Sequence, residues 1–216
     1  MPDCRIFRNL LQFLLYRTRF LLGTRVGRII MFGITQWIDP TKNKKLEELI
    51  IYISEKSKND PSFGATKLNK ILFFADFVHY GSHGKAITNA EYVHRSNGPT
   101  PKFMKPALDS LEKESRIKID EVSYFGYQQK RVVPLTGPDL SMFGQTEISF
   151  VDEVIEVFKA FNGSELSTWT HLLIPWLLTE EEETIPYETI FVLNNKPIDK
   201  AGLRWAQKEL EELAKN

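Results

Sequence analysis

The segment TKLNKILFFADFVHY, Thr66 to Tyr80, constrains this chain more than any other. From Ile71 to Val78 it is apolar on almost every face of a helix, interrupted only by Asp76. A surface helix keeps one polar side for water, whereas a helix that is apolar all round needs neighbours all round. The rest of the chain must therefore wrap about this element. Thr66 is placed to cap its start, and Gly81 and Gly84 to end it.

The wrapping elements can be read in order. Leu46, Leu49, Ile50 and Ile53 recur at helical spacing, which predicts an amphipathic helix over Thr41–Ser57. NDPSFGAT then breaks the chain. AITNAEYVHRSN reads as short extended structure. In GPTPKF, Thr100 can cap a helix with Pro101 at its first position. Pro106 lacks the amide an interior turn needs, so the alternative is a regular helix starting near Lys105. Phe103, Ala107, Leu108 and Leu111 give that helix a buried face. RIKIDEV and KRVVPL are expected to pair as an antiparallel hairpin around SYFGYQQ.

In the second half, Ser149 with Asp152 resembles a capping box, and Val154, Ile155 and Phe158 form the buried stripe, closed by Asn162-Gly163. A short helix from Ser167 must end before Pro175, and Pro186 sits in an opening turn. Glu180–Glu183 reads as a solvated helix start. A last helix from about Asp199 would bury Leu203, Ala206, Leu210 and Leu213. The expected fold is mainly α with a small antiparallel β element, an α+β chain forming a single compact helical domain that contains a β-hairpin.

Charge divides the chain. Its net charge is zero, yet residues 1–30 carry six arginines, no lysine and one acid, while all 18 lysines lie beyond residue 30. Residues 1–30 are accordingly read as an Arg-rich extension outside the fold, with translation starting at Met31 as one explanation, and residues 31–216 as the domain. The single cysteine, Cys4, allows no internal disulfide and no cysteine-rich zinc site. NLLQFLLY is too short to span a bilayer. A reducing, cytoplasmic setting with no membrane association is expected.

Several chemistries can be weighed on residues. His79 and His83 stand four apart, a spacing that can ligate zinc from one helical face, with His94 as a third ligand. Gly81 lies between the first two and Gly84 follows, and no glutamate takes the position a zinc-protease helix needs. Asp76 among apolar neighbours must be paired or neutral. That suits a catalytic acid, or a brace to a neighbouring segment through Arg95. A metal-dependent hydrolase using His79, His83 and Asp76 is thus a third-ranked reading. A winged-helix DNA-binding regulator ranks above it, with Lys102, Lys105, Lys113 and Arg116 facing phosphates, although Asp109, Glu112 and Glu114 share the same helix. Neither a metal nor another cofactor is expected.

Two segments together resemble the start and end of the Panacea, or SocA-like, antitoxin domain. The first comprises Lys67, Leu68, Lys70, Ile71, Leu72, Phe73, Phe74 and Ala75, followed by Tyr92, Gly98, Pro99 and Pro101; the second is LSTWTHLLIPW, with Leu166, Ser167, Thr170, His171, Pro175 and Trp176. The likeness spans roughly residues 42–195. Phe73 replaces the commoner tyrosine and Asn97 a common aromatic. The resemblance implies a non-enzymatic antitoxin that binds and neutralises a cognate protein toxin, in some members as an adaptor delivering it to a protease. A homo-oligomer and self-repression at operator DNA are compatible with it. Tyr92, His94, Arg95, Gly98, Pro99, Pro101 and Phe103 form the expected toxin-binding set. Prolines preset the backbone, and aromatic and guanidinium groups anchor interfaces. The prolines can equally serve as a rigid lead into the next helix. Lys67, Leu68, Lys70, Asp76, Ser167, Thr170, His171, Pro175 and Trp176 are structural or binding residues; one structural role has His171 bonding the Pro175 turn while Trp176 packs inside.

Overall fold

A computed structural model of the chain describes residues 43–191. The Arg-rich segment, Met31 and the helix expected from Asp199 lie outside the described residues. Helix α2, Ala65–His83, runs through the middle, and every residue from Lys70 to His79 is buried. Its start differs from expectation. Gly64, not Thr66, is the N-cap, and Thr66 falls inside the first turn. Gly81 is accommodated within the last turn, and Gly84 closes the helix in the left-handed region at φ 68°.

Around α2 pack α1 (Lys44–Lys56), α4 (Gln145–Phe158) and α5 (Gly163–Thr170). Asn43 caps α1 by accepting from the Leu46 amide at 3.0 Å, and Leu46, Leu49, Ile50 and Ile53 are all buried as their spacing predicts. Glu48 is buried on the same helix. Arg116 holds it with two bonds of 2.6 and 2.8 Å and the Asp139 amide donates at 2.8 Å, which keeps its carboxyl below the usual range. Helix α4 starts four residues before Ser149. The Glu147 carboxylate accepts from the Gly144 amide at 2.9 Å, and Asp152 instead accepts from the Tyr52 hydroxyl at 2.7 Å. Asn162 opens α5 rather than closing α4, its side chain accepting from the Ser164 and Glu165 amides at 3.0 Å.

Strands β1 (Tyr92–Val93), β2 (Thr100–Pro101) and β5 (Thr184–Ile185) form a small antiparallel sheet in the order β2-β1-β5. Thr100 therefore does not cap a helix. Helix α3 is Met104–Lys113, which puts Pro106 at its third position, where the amide would have no intrahelical acceptor. The hairpin pairs β3 (Ile117–Tyr124) with β4 (Tyr127–Pro134) and is longer than the sequence suggests. SYFGYQQ is not a loop: only Phe125 and Gly126 turn, at φ 47° and 81°, the positive pair of a type I′ turn. Helix α6 (Ile174–Leu177) and a 3-10 turn (Tyr187–Phe191) complete the described chain. One apolar cluster links residues from Leu46 to Ile185, so the α+β expectation holds. Among the described residues no helix is long and apolar enough to cross a membrane.

Candidate functional site

The two sequence segments, some seventy residues apart, meet against α2. Gly98 turns at φ 95°, and a Cβ there would lie 2.3 Å from Lys70 Nζ and 2.5 Å from Thr170 Oγ1. Only glycine fits that corner. Ser167 Oγ donates to the Asn97 carbonyl at 2.8 Å, which stitches α5 to the Gly-Pro segment, while Thr170 Oγ1 donates within α5 to the Ser167 carbonyl at 2.8 Å. Lys70 is 1% exposed and donates to the Pro99 carbonyl at 3.3 Å. Burial, with no carboxylate beside it among the described residues, pushes its amine down to about 7. Lys67 is buried too but well provided: it donates to Asp60 at 2.5 Å, Ser62 Oγ at 2.9 Å and the Phe161 carbonyl at 2.6 Å. Leu68 lies in the core.

Trp176 is not packed inside. Half-buried, it is sandwiched between His94 and His171, with ring centroids 3.3 and 4.3 Å away. His171 therefore acts by stacking, and its Nε2 is buried without a hydrogen-bond partner; the Pro175 turn is held by backbone bonds such as Trp176 to Leu173 at 3.0 Å. Burial, then the nearby Lys70 and His94, lowers the affinity of His171 for a proton. His94 is fixed through Thr179 Oγ1 at 3.2 Å and through backbone bonds to Glu182 and Glu183. Glu180–Glu183 is thus a turn laid against His94 and leading into β5, not a helix start, and Arg95 pairs with Glu182.

That pairing corrects the role given to Asp76. The carboxylate does not reach Arg95. It accepts from the Thr88 amide at 2.7 Å, from the Thr88 hydroxyl and from the Tyr92 hydroxyl at 2.8 Å. Complete burial pushes its carboxyl above the usual range. Tyr92 is consequently a core residue, 0% exposed, rather than an interface anchor. Gly98, Pro99 and Pro101 are buried as well, so of the expected binding set only Arg95 is exposed, with His94 and Phe103 half-buried.

The residues of the other readings do not assemble. His79 and His83 stack on each other, and His79 Nδ1 lies 2.6 Å from the Lys85 carbonyl. Among the described residues no three His, Cys, Asp or Glu side chains are grouped to hold a metal. Of the four cations assigned to phosphates, Arg116 is bound to Glu48, Lys102 to Glu91 at 2.7 Å and Lys105 to Asp109 at 2.5 Å.

Two exposed apolar groups escaped the sequence reading. Leu172, Leu177 and Leu178, each more than half exposed, flank the Trp176 stack. At the hairpin tip Phe125 is 86% and Tyr127 78% exposed. The aromatic-rich SYFGYQQ could have signalled the second, once its turn was seen to be two residues long.

The geometry defines a helical scaffold with a stiff corner and exposed contact groups. Over residues 68–177 the chain matches the family model described as antitoxin SocA-like, Panacea domain, and it belongs to that antitoxin family. The match is narrower than the likeness read from the sequence but takes in both segments from Leu68 onward. Neither a curated protein nor a solved structure matches the chain.

Proposed function

We propose that this chain neutralises a cognate protein toxin by direct, non-catalytic contact, through the face formed by Arg95, the His94–Trp176–His171 stack and the leucines beside it. One observation carries the reading: Leu177 and Leu178 are 61% and 56% exposed on the segment whose neighbours, Trp176 and Thr179, are tied to His94. Exposed apolar groups on a rigid base are what a protein interface uses as anchors, and Arg95, already oriented by Glu182, adds a charged group to the same face. The buried Gly98-Pro99 corner keeps this base from having to order on binding, which preserves affinity.

The test is co-expression with the toxic product of the adjoining open reading frame. A triple variant, Arg95→Ser, Leu177→Ser and Leu178→Ser, should lose growth rescue while its circular dichroism and urea midpoint stay near those of the parent. Undiminished rescue would remove this face from the account.

A further inference from the structure

A groove of about 740 Å³ opens on the other side of Asn97 and Ser167, between the hairpin tip and the starts of α2 and α5. Two glycines let its walls close in. A Cβ on Gly64 would stand 2.9 Å from Gln129 Oε1, and one on Gly163 would stand 3.2 Å from Thr66 Cβ. Lys67 ties its floor together and has its charge answered there by Asp60. One wall carries Tyr124, Phe125 and Tyr127. Among the described residues no aspartate or glutamate lines the groove, whereas Lys130 does and has no ion pair among them. Glu121, its cross-strand neighbour, is outside the lining. Helix α2 also opens onto the groove with no side-chain cap and no acid in its first turn, which adds to the same sign of potential.

We propose that this groove holds an extended segment of the toxin, seating an apolar side chain against Phe125 and Tyr127 and a carboxylate near Lys130. The proposal rests on the antitoxin reading. Phe125 and Tyr127 already project into water, so covering them releases apolar surface from water without disturbing the fold. With Lys67 already matched by Asp60, Lys130 is the lining cation left to select the charge of the partner. A nucleic-acid strand fits less well, because its affinity comes from several cations each neutralising a phosphate, and the groove offers one unpaired lysine.

The experiment uses the full chain and the purified product of the adjoining open reading frame. Binding is measured by calorimetry for the parent, for Phe125→Ser with Tyr127→Ser, and for Lys130→Glu. The double variant should bind at least about 30-fold more weakly and Lys130→Glu about 10-fold, with urea midpoints unchanged. Groove variants that bind within twofold of a toxin-binding parent would overturn the groove and leave the antitoxin reading standing. A parent that binds no toxin would overturn both. The groove is also overturned if the double variant instead abolishes binding of a single-stranded RNA oligonucleotide, or only converts a dimer of this chain to monomer, with toxin affinity unchanged.

Discussion

Replacing Lys70 with methionine should make the protein more stable, and the gain should depend on pH in a defined way. Lys70 is 1% exposed and, among the described residues, has one hydrogen bond of 3.3 Å, to the Pro99 carbonyl, and faces no carboxylate. Folding moves its amine from an ordinary 10.5 to about 7, a difference worth about 5 kcal/mol between the two protonation states. The sign follows from proton uptake. Above pH 10.5 the amine is neutral folded or unfolded and costs nothing electrostatically. As pH falls towards 7 the unfolded chain binds a proton that the folded chain refuses, and stability drops by roughly 1.4 kcal/mol per pH unit. Below about 7 both states are charged and the full penalty is in place. At pH 7 the penalty is about 4 kcal/mol; losing the bond to Pro99 gives back about 1. Lys70→Met should therefore gain about 3 kcal/mol at pH 7, or roughly 6–12 °C in Tm, and the gain should shrink towards pH 10. Urea melts of both proteins from pH 6 to 10 measure this directly. A destabilised variant at pH 7, or a gain that does not change with pH, would refute the reading of Lys70 as a buried amine without a counter-ion.

Other substitutions test the same scaffold. Arg116→Ala should cost about 2–3 kcal/mol at pH 7 by removing the two charge-assisted bonds to the buried Glu48 carboxylate, which then keeps, among the described residues, only the Asp139 amide and Lys44 at 3.9 Å; because that carboxyl is held below its ordinary 4.5, the parent's contribution is present above pH 4.5 and lost as pH falls below it, so parent and variant should converge in acid melts. Gly98→Ala should lose at least about 2 kcal/mol in a urea melt, since the new Cβ meets Lys70 Nζ and Thr170 Oγ1 at a positive φ. Asp76→Ala leaves the Thr88 and Tyr92 donors buried and unanswered, and calorimetric unfolding should show a loss of about 3 kcal/mol or more.

The central helix was legible because its apolar run spans all faces, and α1 because four residues repeat at one spacing. Helix starts were less so. Ser149 with Asp152 had the right letters for a cap, but Asp152 is drawn to Tyr52, a hundred residues away in sequence, and Glu147 caps instead. Asn162-Gly163 is both a stop and a start signal, and only the direction of the Asn162 side chain decides between them. Asp76 is visible as a buried acid, yet its partners are an amide and two hydroxyls rather than Arg95, and no spacing rule marks those. Tyr92 was misplaced because a two-residue strand gives no alternation to tell inside from outside. The Gly-Pro corner was recognised as stiff, but that it rests on Lys70 and Thr170 depends on contacts between distant segments. The groove is the extreme case, since Gly64, Asn97, Phe125 and Gly163 share no local pattern.

The account turns on neutralisation by contact alone. Titrating the purified toxin with increasing amounts of the intact chain, while following toxin activity and the toxin's mass, tests this most directly. Inhibition should saturate at a fixed molar ratio, with the toxin recovered unaltered in a stable complex. Inhibition that proceeds to completion at a small fraction of one equivalent, or a toxin recovered cleaved or modified, would contradict it.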